Sequence, residues 1–190
     1  MMSDEQLKLV DVKKNLAERP SKDVYYLTIC YVVAQKSFDP SSKCGCIIVS
    51  KDNRILSAGY NGPLKNSIDE EIPLVRPDRY YHFLHAEENA LLAYNGSYQD
   101  IMESTAYVTG RPCSKCLRML IQKGIKDIRY GVNVTKVVDD NDVKAQSIML
   151  KHHPEVVLMQ IKDCDGFIGL LHKTEDYINL KMSIKGEKNG

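Results

Sequence analysis

Two cysteines spaced one helical turn apart carry the clearest chemical signal in this sequence. They lie in Pro112-Cys-Ser-Lys-Cys116, where a helix is expected to begin, so both sulfur atoms can reach one metal ion. The partial positive charge of a helix N-terminus and a bound Zn²⁺ both favour the thiolate over the thiol. The spacing therefore predicts that Cys113 and Cys116 are metal ligands.

The remaining ligands decide whether such a site is structural or catalytic. Structural zinc sites usually have four protein ligands, and the other close cysteine pair is Cys44-Gly-Cys46. We expect that pair to pack in the core beside a strand, with a second zinc site that includes His82 as the weaker alternative. His85, at the start of another predicted helix, is the predicted third ligand. Three protein ligands would leave one position for water, as catalytic sites do.

Glu87 follows His85 by two residues, so it shares the first helical turn but points to a different side of the helix. It need not bind the metal. A carboxylate there can take a proton from a water on the metal and pass it to a ring nitrogen and a leaving amine. The predicted chemistry is hydrolytic deamination with Glu87 as the catalytic residue.

Each part of this pattern has a common structural explanation when it stands alone. A Cys-x-x-Cys pair is often a structural zinc or redox motif. A single histidine is usually a satisfied or exposed imidazole, and a glutamate near a helix start often only stabilises the helix dipole. The combination of His-x-Glu with Pro-Cys-x-x-Cys is what favours catalysis.

Apolar periodicity and turn residues predict the elements that must position these side chains. The predicted helices are 22–35 with Ser21 as N-cap, 85–94, 113–123 and 143–150, and the predicted strands are 47–50, 54–60, 106–109, 126–130 and 155–159. The first two strands form a hairpin, and residues 61–80, rich in proline and charge, form a long surface loop. The alternation of helices and strands indicates an α/β layered fold.

Composition narrows the classes of partner. Twenty-six Lys and Arg against twenty-five Asp and Glu give a formal net charge of +1, so no overall field favours nucleic acid or an anionic membrane. No segment approaches the roughly 18 to 20 apolar residues of a membrane span, and the N-terminus lacks the pattern of a signal peptide. We therefore expect a soluble, cytoplasmic protein whose six cysteines are free thiols or metal ligands.

The chain divides into one domain and two extensions. Residues 1–20 are predicted to be an N-terminal extension with a loosely attached helix, 21–160 the deaminase domain, and 161–190 a C-terminal extension that ends in a frayed tail from 185. Four apolar residues in the last segment predict a subunit interface there: Phe167, Ile168, Leu170 and Leu171.

The motifs together resemble the deoxycytidylate (dCMP) deaminases of the zinc-dependent cytidine deaminase superfamily. Besides His85-Ala-Glu87 and Pro112–Cys116, the resemblance includes 38–49, Gly59-Tyr-Asn-Gly62 and Gly124-Ile-Lys126, and it runs from about residue 25 to 131. It implies a three-layer α/β/α sandwich with a mixed five-stranded sheet and one Zn²⁺ between two helix N-termini. It also implies conversion of dCMP to dUMP for thymidylate synthesis, and a homo-oligomer, often a hexamer.

The resemblance further implies contacts to a small-molecule nucleotide substrate. Asn61 matches the asparagine that approaches the sugar, the backbone N–H of Ala86 and carbonyls near Arg111 read the base edge, and Tyr130 walls the pocket. Arg111 stands where the family commonly has a small or apolar residue. We therefore expect it, with Lys115, to assist in binding a nucleotide phosphate.

Two departures and several alternatives stay open at this point. Pro63 directly follows Gly62 and Asn66 replaces a later glycine, so the resemblance does not extend to regulation by dCTP. The substrate could instead be dCTP, a modified deoxycytidylate, a free nucleoside or base, or an RNA or single-stranded DNA whose phosphates contact Lys115, Arg118, Lys123 and Lys126. The zinc site could also belong to a non-catalytic interaction module. Riboflavin-pathway deaminases often carry a reductase domain for which this chain has no room.

Overall fold

The computed structural model describes residues 19–132, 139–162 and 166–174. Its helices are α1 (Lys22–Ala34), α2 (Ala86–Ala93), α3 (Tyr98–Met102), α4 (Ser114–Gln122) and α5 (Asp140–His152). Residues 166–174 are also helical. Its strands are β1 (Gly45–Val49), β2 (Ile55–Tyr60), β3 (Gly62–Pro63), β4 (Phe83–Leu84), β5 (Thr105–Val108), β6 (Asp127–Tyr130) and β7 (Val157–Gln160).

Five strands form one mixed sheet in the order β2-β1-β5-β6-β7. Strand β1 is antiparallel to both β2 and β5, whereas β5, β6 and β7 are parallel. The hairpin of β1 and β2 and the mixed five-stranded sheet are therefore confirmed.

The interior strand β1 is buried along its whole length because helices cover both faces of the sheet. Cys46 and Ile48 point to one face, where they join a core that includes residues of α2 and α4. Ile47 and Val49 point to the other face, where they pack with α1 and Phe167. This alternation is the period of an extended strand. The three-layer α/β/α sandwich is confirmed.

Capping side chains set several helix boundaries. Ser21 accepts the N–H of Val24 at 3.2 Å and starts α1 where the sequence predicted it. Asp139 accepts the N–H of Asn141 at 2.9 Å, so α5 begins three residues before the predicted start at 143. Helix α3 was not predicted, because five residues are too few to show a helical period; Ser97 caps it.

The predicted loop 61–80 contains short regular segments that fold it back on the domain. Strand β3 pairs antiparallel with β4, so the two ends of the loop meet beside the start of α2. Two single-turn 3₁₀ helices, Asp69–Glu71 and Asp78–Tyr81, lie between them. This long segment therefore begins and ends next to the residue that precedes α2, His85.

Most of the two predicted extensions lies outside the described residues, including the expected N-terminal helix and the tail from 185. In the C-terminal extension, Phe167 is buried and its ring packs 5.7 Å from that of Tyr31. Ile168 and Leu171 are exposed, and the interface there stays a prediction. No helix in the described ranges is long and apolar enough to cross a membrane.

Candidate active site

Two helix starts bring the three predicted metal ligands together. His85 precedes α2 and Cys113 precedes α4, each with extended backbone, and the Cys113 side chain does not cap its helix. The sulfur atoms of Cys113 and Cys116 lie 3.4 and 3.3 Å from Nδ1 of His85. Tetrahedral zinc, with bonds of about 2.3 Å to sulfur and 2.0 Å to nitrogen, separates such atoms by roughly 3.6 Å. The donor types and spacing fit one zinc ion.

The protein's own groups prepare one thiolate in this cluster. A hydrogen bond from Cys116, opposed by burial but aided by His85, lowers the pKa of the Cys113 thiol to about 4. The hydrogen bond to Cys113, together with burial, raises the pKa of the Cys116 thiol. A separate hydrogen bond between Cys113 and His85 raises the pKa of the histidine. Cys116 must therefore lose its proton to act as a ligand, so metal affinity will depend on pH.

The alternative site around the other cysteine pair is not supported. Within residues 19–132, 139–162 and 166–174, the one group of three or more potential ligands is His85, Cys113 and Cys116. Cys46 is fully buried in the core, as predicted. Cys44 is half-buried just before β1, with its sulfur 3.7 Å from the hydroxyl of Ser42.

A cavity of about 280 Å³ opens beside the ligand cluster. His85, Ala86 and Glu87 line one side, and the segments 39–44 and 76–84 line others. Glu87 is 4% exposed, and its negative charge contributes to the raised pKa values of His85 and Cys116. A buried carboxylate, the three potential ligands and a cavity for a small molecule are thus adjacent.

Asn61 also lines the cavity, but its amide is largely engaged by the protein. Its Nδ2 donates to Oδ2 of Asp39 at 3.0 Å and to the carbonyl of Ser42 at 2.9 Å, and its Oδ1 accepts the N–H of Cys44 at 2.7 Å. Both amide hydrogens have partners, which leaves only the second lone pair of Oδ1 for another group. Asn61 therefore orders the loop before β1 as well as facing the cavity.

A buried ion pair joins the long loop to Asp39, the residue that Asn61 also contacts. Nη1 of Arg79 lies 2.7 Å from Oδ1 of Asp39, and each side chain is 4% exposed. Asp39 also accepts the backbone N–H groups of Ser41 and Ser42. The loop 61–84 and the segment 39–44 are consequently held together through one carboxylate.

The structure places the remaining predicted substrate contacts outside the lining of this cavity. Arg111 donates through Nε to Oε1 of Gln146 at 2.8 Å and through Nη1 to the hydroxyl of Tyr130 at 3.4 Å. Lys115 pairs with Glu88 at 2.8 Å. Roles for Arg111, Lys115 and Tyr130 in substrate binding stay predictions.

Sequence reasoning missed the residues that shape the cavity from the long loop, notably Arg76 and Arg79. The available signal was the loop itself, because a structureless segment of that length in a compact domain is often functional. Asn66 has φ 67°, a left-handed conformation that asparagine tolerates.

Three comparisons relate the chain to known proteins. The family model for the cytidine and deoxycytidylate deaminase zinc-binding region matches residues 20–132. The deoxycytidylate deaminase of Pongo abelii is 34% identical over 112 residues, which is 56% of this chain and 62% of that protein. The probable deoxycytidylate deaminase of Caenorhabditis elegans is 35% identical over 151 residues, 76% of this chain and 71% of that protein. This chain thus spans about three fifths of the length of the Pongo abelii relative.

A solved structure shares the fold. The dCMP deaminase from the cyanophage S-TIM5, in complex with dCMP and dUMP, matches with a TM-score of 0.54 and 24% identity. The match covers 85% of this chain and 100% of that one.

Proposed function

This chain belongs to the cytidine and deoxycytidylate deaminase zinc-binding family, and from that membership we propose that it hydrolyses dCMP to dUMP and ammonia. The observation that carries the proposal is the position of Glu87. This carboxylate is buried in a cavity that His85 also lines, while Cys113 and Cys116 lie within 4.8 Å of the His85 ring nitrogen. A purely structural zinc site has no need for an adjacent cavity with a buried acid.

His85, Cys113 and Cys116 would hold the zinc ion. When bound, zinc supplies a hydrolytic nucleophile at neutral pH. With three protein ligands the site keeps the open position that catalytic zinc sites need.

Glu87 moves the protons of the reaction. Net hydrolysis joins a water oxygen to C4 of cytosine and breaks the bond from C4 to the exocyclic nitrogen, which leaves as ammonia. Glu87 passes one proton of the water to the ring nitrogen N3 and then carries the second proton, from the hydroxyl group formed on C4, to the leaving amine. Its burial keeps bulk water away from this transfer, because only 4% of the residue is exposed.

The nucleotide phosphate requires a cation at the cavity, and Arg76 is the best placed. It lines the cavity and is exposed, with the ring of Tyr80 5.6 Å from its guanidinium carbon. The other arginine of the lining, Arg79, is neutralised by Asp39. Within the described part of the chain Arg76 has no carboxylate partner. Its planar guanidinium suits bidentate contact with a phosphate.

The wider setting follows from the same family membership. We propose a cytoplasmic enzyme of pyrimidine metabolism that supplies dUMP for thymidylate synthesis and assembles as a homo-oligomer, with a hexamer as the expected form. The near-neutral net charge of +1 supports a small nucleotide rather than a nucleic acid as substrate.

A substrate panel tests the reaction and its substrate together. Ammonia release and the ultraviolet change from cytosine to uracil are measured with cytidine, deoxycytidine, dCMP and dCTP on zinc-loaded protein. Selective turnover of dCMP is the expected result. Preference for dCTP or for a nucleoside would overturn the substrate, and inactivity on all four with zinc bound would overturn the proposed reaction.

A further inference from the structure

Helix α5 places a fully buried polar side chain against the turn that carries the two cysteines. Gln146 is 0% exposed and uses both ends of its amide. Its Nε2 donates to the carbonyl of Pro112 at 3.0 Å and to Oδ2 of Asp142 at 2.7 Å, and its Oε1 accepts Nε of Arg111 at 2.8 Å. The amide thus forms hydrogen bonds with the two residues immediately before Cys113.

A second side chain of α5 completes the start of helix α4. The first N–H groups of a helix need acceptors, and the N-cap side chain usually provides one. Here the N-cap is Cys113, whose side chain makes no capping bond. Oδ1 of Asp142 accepts the N–H of Ser114 at 2.8 Å instead. A carboxylate from another helix therefore caps α4 in place of the N-cap side chain, and the Cys113 sulfur can act as a metal ligand.

These two residues lie outside the part of the chain that the family model matches, which ends at residue 132. A buried amide group normally has hydrogen-bond partners, because burying an unpaired one lowers the stability of the folded protein. All the bonds of Gln146 described above run within α5 or to the cysteine turn. The contact is therefore specific to that turn rather than general packing of α5 on the domain.

We propose that Asp142 and Gln146 are positioning residues that keep the sulfur atoms of Cys113 and Cys116 close enough to His85 to share one metal ion. Metal affinity then depends on helix α5. The inference rests on the zinc site of the proposed function but not on the identity of the substrate. Partners behind metal ligands typically change metal affinity by about 10- to 100-fold when they are removed, and we expect the same range here.

The test compares Asp142→Ala and Gln146→Leu with Lys144→Ala, an exposed position on the same helix. Zinc affinity of the full chain is measured by competition with a chromogenic chelator, and Co²⁺ replaces zinc to report sulfur coordination through its absorption spectrum. We expect about 10- to 100-fold weaker zinc binding and an altered cobalt spectrum in the first two variants. Lys144→Ala should match the wild type.

Two further variants separate positioning from folding. Asp142→Asn keeps an acceptor for the N–H of Ser114, so it should recover much of the affinity lost in Asp142→Ala. Gln146→Met keeps the length of the side chain without its hydrogen bonds and adds no buried charge, so its zinc affinity tests the inference if Gln146→Leu fails to fold.

Wild-type zinc affinity and an unchanged cobalt spectrum in Asp142→Ala and Gln146→Leu would overturn the inference, even if their unfolding midpoints fell. A wild type that binds no zinc would overturn it together with the site. A wild type that binds zinc tightly but deaminates none of the nucleotides would overturn only the proposed reaction.

Discussion

The carboxylate of Glu88 joins the two helices that supply the metal ligands: Oε1 lies 2.8 Å from Nζ of Lys115 on α4. Its other oxygen accepts the backbone N–H of His85, also at 2.8 Å. One buried side chain therefore caps the histidine helix and contacts the cysteine helix. The pKa of Glu88 is lowered, with Lys115 and the His85 N–H outweighing the opposing effect of burial.

Glu88→Ala should lower the free energy of unfolding of the zinc-loaded protein by about 0.5–2 kcal/mol, the usual cost of losing a helix cap. Lys115→Met is the comparison, because it removes the ion pair but leaves the bond from Glu88 to the His85 N–H. The lysine side chain is 55% exposed. Exposed ion pairs contribute about 0–1 kcal/mol, so the lysine variant should lose less. Urea unfolding measures both, and a larger loss for Lys115→Met would contradict this account.

Gly59→Ala should displace helix α2 and with it His85. A Cβ at Gly59 would lie 2.3 Å from the backbone nitrogen of Ala90 and 2.4 Å from the carbonyl of Ala86. Overpacking of this kind costs about 1–3 kcal/mol, and here backbone must move. Thermal unfolding and zinc content are measured beside Gly169→Ala, where no atom lies within 4 Å of the new Cβ. The control should keep or slightly raise stability, and equal behaviour of the two variants would refute the close contact.

Arg79→Met should be strongly destabilising, because it leaves the Asp39 carboxylate buried without its cation. Breaking a buried ion pair costs about 3–5 kcal/mol. Adding Asp39→Asn removes the stranded charge while keeping an acceptor for neighbouring N–H groups, so the double variant should be less destabilised than the sum of the single ones. A double-mutant cycle by urea unfolding provides the measurement, and simple additivity would show that the pair is not coupled.

Arg76→Gln should raise KM for dCMP by about 10- to 100-fold, the equivalent of a lost hydrogen bond to a charged group. Turnover of deoxycytidine, which has no phosphate, should not change. Steady-state kinetics with both substrates tests this beside Arg54→Gln, an exposed arginine in the β1–β2 hairpin. If KM for both substrates rose together in Arg76→Gln, the residue would shape the cavity rather than bind phosphate.

The sequence was most informative where function depends on local spacing. His85, Glu87, Cys113 and Cys116 could be singled out because two helix starts impose fixed residue intervals on a metal site. The main strands were predictable for a related reason, since alternation of apolar residues follows directly from strand geometry.

The sequence was least informative where one side chain meets another far along the chain. Gln146 is a polar residue in an ordinary helical pattern, and nothing local indicates that it is buried against Pro112. Arg79 and Asp39 are 40 residues apart, and either would be expected at the surface. A role for Arg111 in substrate binding stays a prediction, whereas its hydrogen bonds to Gln146 and Tyr130 join residues far along the chain that no local pattern connects.

The most direct test of the central claim is the rate of dCMP deamination by Glu87→Gln at matched zinc content. The substitution keeps the size of the side chain but removes its ability to exchange protons, and Glu103→Gln, at an exposed carboxylate, is the control. A loss of about 10²- to 10⁴-fold in kcat, typical of a removed general acid and base, is the predicted result. Wild-type turnover by the Glu87 variant would contradict the assignment of this carboxylate as the proton carrier.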